Sequence, residues 1–262
     1  MDDGPFPFPF LGGEYYWPLT ADAGFFRAPF KRVTSKVLRS SGSDVLRRTF
    51  GSLDEALTGV AGEFSLRDDR ATFFVRTRGD SWTVVLVSTF PYTGINGFMR
   101  ARARLDARCD FVAYHWIPGS SKTMIDHGPV FASAGFIDVR HVRGILQRSS
   151  PFGERRIVRV SDQDDGWEFD LAGSPREYEE PEHYERRRKA DRLPPELIGR
   201  YLAGVGLPVT DPNWFDDRVV VSIQPGRGLK RWDWHTITDL RAACGYPLNH
   251  VPSRLTGWER HG

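Results

Sequence analysis

Two groups of residues in the middle of the chain could each bind an anion, and the first could instead face an acidic partner surface. Arg100, Arg104 and Arg108 stand four residues apart, so a helix would place their guanidinium groups along one face. Ser120 and Lys122 belong to the stretch "PGSSK", whose hydroxyl and ammonium groups could donate hydrogen bonds to a phosphate or carboxylate. These five are the candidate binding residues of the sequence. For the arginines, the alternative is a solvated helix face that is balanced by acidic neighbours.

A nucleotide-binding loop is not supported. "IPGSSKT" (117–123) follows a predicted strand and ends in Lys-Thr, as phosphate loops do. Such a loop needs glycines at fixed offsets so that backbone N–H groups can wrap the phosphate. Ser121 stands where the second glycine is required.

Two further glycine-containing stretches fail the motifs that they approach. "DQDDGWEFDLAG" (162–173) resembles a calcium loop, but its glycine comes one position early and Gly173 stands where a bidentate Glu is required. The stretch instead predicts a β-turn with Gly166 in a left-handed conformation. "PGRGLK" (225–230) has Arg231 in place of the third glycine of a dinucleotide-binding fingerprint. The sequence therefore predicts no cofactor.

The histidines and cysteines form no recognisable metal or catalytic pattern. No two histidines stand four residues apart with a third ligand nearby, so no metal site is predicted. His115 lies in an apolar strand and is expected to be a hydrogen-bonded core residue. His127 follows Asp126, which could polarise its imidazole, but no nucleophile elbow accompanies the pair. Cys109 and Cys244 are expected to be inert, and two cysteines exclude a disulfide framework.

Composition limits the possible partners. The chain has 262 residues, and its 36 basic and 34 acidic side chains leave a net charge of +2, which makes nucleic-acid binding unlikely. No run of about 18 apolar residues is present, so no membrane span is expected. The start "MDDGPFPFPFLGG" lacks the pattern of a signal peptide, and a cytoplasmic location is expected.

The segments around the candidate residues predict a βαβ unit. Residues 71–77 and 82–88 are β-branched and aromatic runs that flank the turn cluster "RGDS", so they predict a hairpin whose second strand is central. Helical spacing follows over 94–109, and 111–117 is another apolar strand. Strands 82–88 and 111–117 are therefore expected to be parallel neighbours.

The remainder of the chain predicts an antiparallel region and short helices. "FIDVRHVRGIL", "RRIVRVS" and "WEFDLAG" are expected to be successive antiparallel strands. A strand over 214–224 and a helix over 236–245 follow. Before the hairpin, 44–50 and 52–62 have short helical patterns, and Ser52 with Glu55 forms a capping box.

The first thirty residues are unusually aromatic and rich in proline, which excludes a regular helix there. Nine aromatic residues lie in this segment: Phe6, Phe8, Phe10, Tyr15, Tyr16, Trp17, Phe25, Phe26 and Phe30. We expect residues 1–33 to form an extended arm docked on the body, because a free arm would expose a large apolar surface. The alternative is an arm that anchors a partner.

The segment 178–206 predicts two helices. Glu182–Arg186 and Glu185–Lys189 have the spacing of helical ion pairs, and the second helix is expected to begin after Pro194. Its buried stripe is predicted to consist of Leu197, Ile198, Tyr201 and Leu202. The basic run of 186–189 points around most of a turn, so it cannot form one concentrated basic face.

The predicted fold class is α+β: a mixed, mostly antiparallel sheet with one βαβ unit, flanking helices and an extended aromatic arm. Residues 34–210 are expected to be the main domain, and 211–262 a strand-helix extension packed on it. A small-molecule site would lie beyond the carboxyl ends of strands 82–88 and 111–117, at 89–94 and 118–122.

Three stretches resemble a group of uncharacterised bacterial proteins, some of them similar to the immunity proteins of toxin–antitoxin systems. They are "WTVVLV", "WEFDLAG" and "YEEPEHYERRRKADRLPPELIGRYLAGVG", and the resemblance spans 74–209. It implies a cytoplasmic α+β protein that acts by binding a protein partner, such as a toxin or effector. The alternative is a hydrolase or transferase with its site at the ends of strands 82–88 and 111–117.

Overall fold

The structure is a computed structural model. It describes residues 20–39, 46–53, 55–57, 70–88, 109–117, 124–125, 128–129, 133–140, 154–163 and 166–224.

The described residues form eleven strands, two complete α-helices, a helical fragment at 53 and 55–57 within the segment predicted to be helical over 52–62, and three short 3₁₀ helices. The strands are β1 (Asp22–Phe26), β2 (Leu46–Phe50), β3 (Arg70–Thr77), β4 (Thr83–Ser88), β5 (Phe111–Ile117), β6 (Met124–Ile125), β7 (Gly128–Pro129), β8 (Ser133–Arg140), β9 (Glu154–Gln163), β10 (Gly166–Ala172) and β11 (Phe215–Gln224). The α-helices are α1 (Phe30–Arg39) and α2 (Pro195–Gly204), and the 3₁₀ helices are Pro181–Glu185, Lys189–Arg192 and Pro212–Trp214.

Nine of these strands form one sheet, in the order β10-β9-β8-β5-β1-β4-β3-β11-β2. Each neighbouring pair in it is antiparallel. β6 and β7 pair separately. The predicted α+β class with a mostly antiparallel sheet is confirmed. No helix among the described residues is long and apolar enough to cross a membrane.

Each face of the sheet is covered by helix. One face packs against α2 and the segment around it, through buried residues such as Tyr184, Leu197 and Tyr201. The other face packs against α1, through Phe30 and Val33. Side chains of a strand alternate between faces, and this is why consecutive residues of one strand enter different cores.

The predicted βαβ unit is wrong in its pairing. β4 and β5 run in the same direction, but β1 lies between them and pairs with both in antiparallel register. All five residues of β1 are buried, and its Phe25 and Phe26 enter the two opposite cores. A strand that is apolar on both faces can occupy the centre of a sheet, and it takes the place where β4 and β5 would have met.

The position of β1 also differs from the prediction of an aromatic arm docked on the body. Residues 1–19 lie outside the described part, and 20–33 contain β1 and the start of α1. Residues 22–26 are extended, as expected, but they are hydrogen-bonded on both sides within the sheet and are not docked on its surface, and 30–33 are helical.

The hairpin and the later antiparallel strands are confirmed. β3 and β4 pair around a turn in which Gly79 and Asp80 have positive φ, as tight hairpins require. β8, β9 and β10 form a meander, and Gly166 begins β10 with a φ of 106°. The stretch that resembled a calcium loop therefore belongs to a β-hairpin, as predicted.

β11 extends the sheet on its far side. It pairs with β3 and β2, so the strand predicted over 214–224 lies in the same sheet as the main domain. The helix predicted over 236–245 lies outside the described residues.

The two short helical predictions before the hairpin have different outcomes. Residues 46–50 form β2, which pairs with β11, so the predicted helix over 44–50 is wrong. Backbone pairing at the sheet edge decides the conformation of so short a segment. The capping interaction after it is present: Ser52 Oγ accepts from the N–H of Glu55 at 3.0 Å, and the Glu55 carboxylate accepts from the N–H of Gly51 at 2.7 Å.

The segment 178–206 holds one α-helix instead of two. α2 buries the four residues that the sequence predicts, Leu197, Ile198, Tyr201 and Leu202. The predicted first helix is wrong, because two 3₁₀ helices separated by residues 186–188 stand in its place. The buried contacts of Glu179 with Arg156 and of Tyr184 with Phe169 join this segment to the sheet, and they fix it more strongly than helical ion pairs at the surface could.

Candidate functional site

Three polar side chains meet on adjacent central strands: Asp22 of β1, His115 of β5 and Ser133 of β8. His115 Nδ1 contacts Asp22 Oδ1, and His115 Nε2 lies 2.6 Å from Ser133 Oγ. Asp22 and His115 are buried, at 5% and 9% exposure, whereas Ser133 is half-buried. We call these three residues the relay.

The strand register brings the relay together. Asp22 is paired directly with His115, so the two side chains share one face of the sheet. On the other side, His115 is opposite Gly135, and Ser133 lies two residues before that glycine on the same face. Because Gly135 has no side chain, it leaves the imidazole room to reach its diagonal neighbour Ser133.

The atoms of the relay are joined in the order that activates a serine nucleophile. In the tautomer that carries its proton on Nδ1, His115 donates to the Asp22 carboxylate and Nε2 has no proton. Nε2 then accepts the hydroxyl hydrogen of Ser133. A nucleophile within hydrogen-bond reach of a base, itself oriented by a third group, is the arrangement used in acyl transfer.

The relay lies at the end of the sheet where the sequence predicts a site. β4 and β5 both end there, and His115 is three residues from the predicted segment 118–122. The face is the one that α1 covers, because His115 shares it with Phe111 and Ala113.

The five candidate residues of the sequence belong to segments that the structure does not describe. Arg100, Arg104, Arg108, Ser120 and Lys122 all lie outside the described residues. His127 and the segment 89–94 do so too.

His115 is a buried, hydrogen-bonded histidine, as predicted, but its two partners were not foreseen. Asp22, His115 and Ser133 are far apart in sequence, and no local motif surrounds any of them. The signal that could have found two of them is a titratable residue inside an otherwise apolar strand, as in "DAGFF" and "FVAYHWI".

A second polar cluster lies on the opposite face and joins β9 to the segment before α2. Arg156 binds Glu179 in bidentate fashion, with Nη2–Oε2 at 2.7 Å and Nε–Oε1 at 2.8 Å. Glu179 also accepts from the backbone N–H of Arg176 and from the hydroxyl of Tyr184, each at 2.8 Å. Tyr184 and Tyr201 share a hydrogen bond of 2.7 Å. Because its donors and acceptors satisfy one another, we assign this cluster a structural role.

The electrostatics of this cluster support that assignment. Burial raises the pKa of Glu179, but hydrogen bonds from Arg156, Arg176 and Tyr184 outweigh it and hold this pKa below its ordinary value. Burial, together with hydrogen bonds to Tyr201 and Glu179, raises the pKa of Tyr184. Glu179 is therefore held as a carboxylate and Tyr184 as a neutral phenol, and neither is poised to exchange protons near neutrality.

A cleft of about 510 Å³ opens at the other end of the sheet. Arg27 stacks over Trp82 and Arg140 over Tyr178, each at 6.0 Å from the ring centre. Each arginine is also paired with a carboxylate: Asp110 for Arg27, and Asp138 for Arg140. No relay residue lines this cleft, and both of its arginines are paired with carboxylates of its own walls, while Glu177 adds a third acidic side chain to the lining.

Comparisons with protein families, with curated proteins and with solved structures find no match to this chain. Among the described residues, no three His, Cys, Asp or Glu side chains are grouped closely enough to hold a metal ion.

Proposed function

We propose that the chain is a hydrolase or acyl transferase that uses Ser133 as its nucleophile and His115 as its general base. The observation that supports this proposal is the 2.6 Å contact of Ser133 Oγ with His115 Nε2, while His115 Nδ1 contacts Asp22. The half-buried position of Ser133 is compatible with the approach of a substrate, and the burial of Asp22 shields its interaction with the imidazole from water.

The proposed reaction follows from the order of these atoms. Ser133 Oγ attacks the carbonyl carbon of an ester, thioester or amide, while its proton passes to His115 Nε2. His115 then donates that proton to the leaving group, and the bond between the carbonyl carbon and the leaving group breaks. Water or another acceptor, deprotonated by His115, attacks the acyl-serine and releases Ser133. Asp22 does not take a proton but stabilises the imidazolium that forms.

Turnover of small chromogenic esters and thioesters tests this proposal. We expect Ser133→Ala to lower kcat/KM by about a thousandfold or more, because the nucleophile is removed. Ser35→Ala is the matched control, since Ser35 is an exposed serine of α1 whose hydroxyl contacts only the Arg32 carbonyl oxygen. If both variants retain the wild-type rate, the proposal fails.

Asp22→Asn separates catalysis from structural support. The amide is close in shape to the carboxylate but favours the wrong tautomer of His115, so kcat is expected to fall with little change in KM or melting temperature. A variant that melts early and yet keeps the wild-type kcat would show that the relay only supports the fold.

We also propose, as a second candidate function, binding to a protein partner of the immunity or inhibitor type. The observation that favours it is the exposed outer strand β10, whose Leu171 is 45% exposed. Co-expression with the product of the neighbouring gene tests it: the expected result is a stable complex and rescue of growth. If both are absent, this second proposal is lost. Both proposals are for a cytoplasmic protein.

A further inference from the structure

β10 forms one edge of the sheet and has a partner on one side only. It pairs with β9 over all seven of its residues, from Gly166↔Gln163 to Ala172↔Ile157. In the described part of the chain, its backbone makes no hydrogen bond to any other element. The outer backbone groups of β10 are therefore available to a further strand.

The side chains of β10 alternate between two chemistries. Glu168 and Asp170 are exposed on one face, and Asp170 is paired with Arg159 of the neighbouring strand. Trp167, Phe169 and Leu171 occupy the other face, where the first two are half-buried. Leu171 is the one large hydrophobic side chain that is exposed among the described residues. An added strand would therefore meet carboxylates on one face and apolar side chains on the other.

A second copy of this chain does not suit this edge. An antiparallel pairing of two β10 strands about a two-fold axis would place acidic residues opposite acidic residues, for example Glu168 opposite Asp170. Like charges directly opposite each other destabilise a strand pair. A strand with basic residues at alternate positions would place a positive charge beside each carboxylate.

We propose that the outer edge of β10 binds an extended segment of another protein, a strand with alternating basic and apolar residues. The backbone hydrogen bonds continue the sheet, the basic side chains lie beside Glu168 and Asp170, and the apolar ones cover Leu171. This surface is separate from the relay and does not require the proposed catalytic activity; the inference rests on the second proposed function, binding to a protein partner.

A heptapeptide of alternating lysine and valine, acetylated and amidated at its ends, is the probe. Binding is followed by changes in the backbone NMR signals of the ¹⁵N-labelled full chain. We expect the changes to be largest in β10 and the affinity to fall as salt is added. A heptapeptide of alternating glutamate and valine has the same apolar face, and we expect it to bind at least about tenfold more weakly.

Charge reversal on the protein completes the test. Glu168→Lys combined with Asp170→Lys is expected to reverse the preference, so that the glutamate peptide binds more tightly than the lysine peptide. Glu168→Lys alone keeps the pair of Asp170 with Arg159. It is expected to weaken binding of the lysine peptide by less than the double substitution does. Glu196→Lys makes the same charge change at an exposed position of α2 and is expected to leave both affinities unchanged.

Several outcomes would overturn the proposal. They are equal affinity for the two peptides, signal changes centred outside β10, an effect of Glu196→Lys as large as that of Glu168→Lys, and self-association of the free chain through β10. Ser133→Ala is expected to bind the lysine peptide as wild type does, so failure of the catalytic proposal and failure of this one are distinguishable.

Discussion

At the scale of single residues, the ion pair of Arg156 and Glu179 makes stability sensitive to the loss of either partner, because the two side chains are only 4% and 1% exposed. Glu179→Gln would leave the Arg156 guanidinium buried without a counter-charge, and we expect the free energy of unfolding to fall by about 3–5 kcal/mol. Urea denaturation measures this change.

The neighbouring Glu180 provides the control for that prediction. It pairs with Arg200 at the surface, where solvent weakens the attraction, so Glu180→Gln is expected to change stability far less. Equal losses in the two variants would contradict the structural role of the Arg156–Glu179 pair.

Glu179 also makes stability depend on pH. Its pKa in the folded chain is below the ordinary value of 4.5 that we take for the unfolded chain. The unfolded state therefore binds the proton more readily, so the contribution is complete above pH 4.5 and is lost as pH falls through the folded pKa. We expect urea midpoints measured from neutral to acidic pH to fall steeply in the wild type and less steeply in Glu179→Gln. Parallel curves would contradict this assignment.

At the scale of elements, the end of α2 depends on a close approach to the preceding segment. A Cβ atom on Gly204 would lie 2.4 Å from the Cβ of Tyr178. Gly204→Ala must therefore displace Tyr178, whose hydroxyl donates to Asp138 at 2.7 Å. We expect a loss of about 1–3 kcal/mol in the free energy of unfolding, typical of overpacking.

Ala203→Ser is the matched control for Gly204→Ala, because Ala203 is an exposed residue in the same turn of α2. It is expected to change stability by no more than about 0.5 kcal/mol. A Gly204→Ala variant that unfolds at the same temperature as the wild type would contradict the close packing of α2 against Tyr178.

At the scale of the whole molecule, β1 is the central strand of the nine-stranded sheet. It is buried over its entire length and pairs with β4 and β5, so its amides can exchange with solvent only when the sheet opens. Hydrogen exchange is expected to protect Ala23 to Phe25 with a free energy close to that of global unfolding, whereas amides of β10 exchange faster. Comparable protection of both strands would contradict the expectation that β1 opens only with the whole sheet and β10 opens more easily.

The sequence predicts the elements that are defined locally. The β3–β4 hairpin follows from two β-branched runs around Gly79, and α2 follows from Pro194 and the stripe of Leu197, Ile198, Tyr201 and Leu202. The place of β1 could not be predicted in this way, because its pairing with β4 and β5 is decided by residues more than fifty positions away.

The relay could not be predicted either, because it too depends on pairing between distant strands. Asp22, His115 and Ser133 share no local motif, and only the register of three strands brings their side chains together. His115 alone could be placed correctly, as a buried and hydrogen-bonded residue, because burial of a polar group demands partners wherever they come from.

Covalent labelling with a fluorophosphonate probe tests the proposed catalytic role of the relay most directly, since such a probe reacts with activated serines. Mass spectrometry of the digested chain then locates the label. We expect label on Ser133 in the wild type and in Ser35→Ala, strongly reduced labelling in His115→Ala, and none in Ser133→Ala. An unlabelled wild type, or label on Ser133 that persists at the same rate in His115→Ala, would contradict an activated nucleophile at this site.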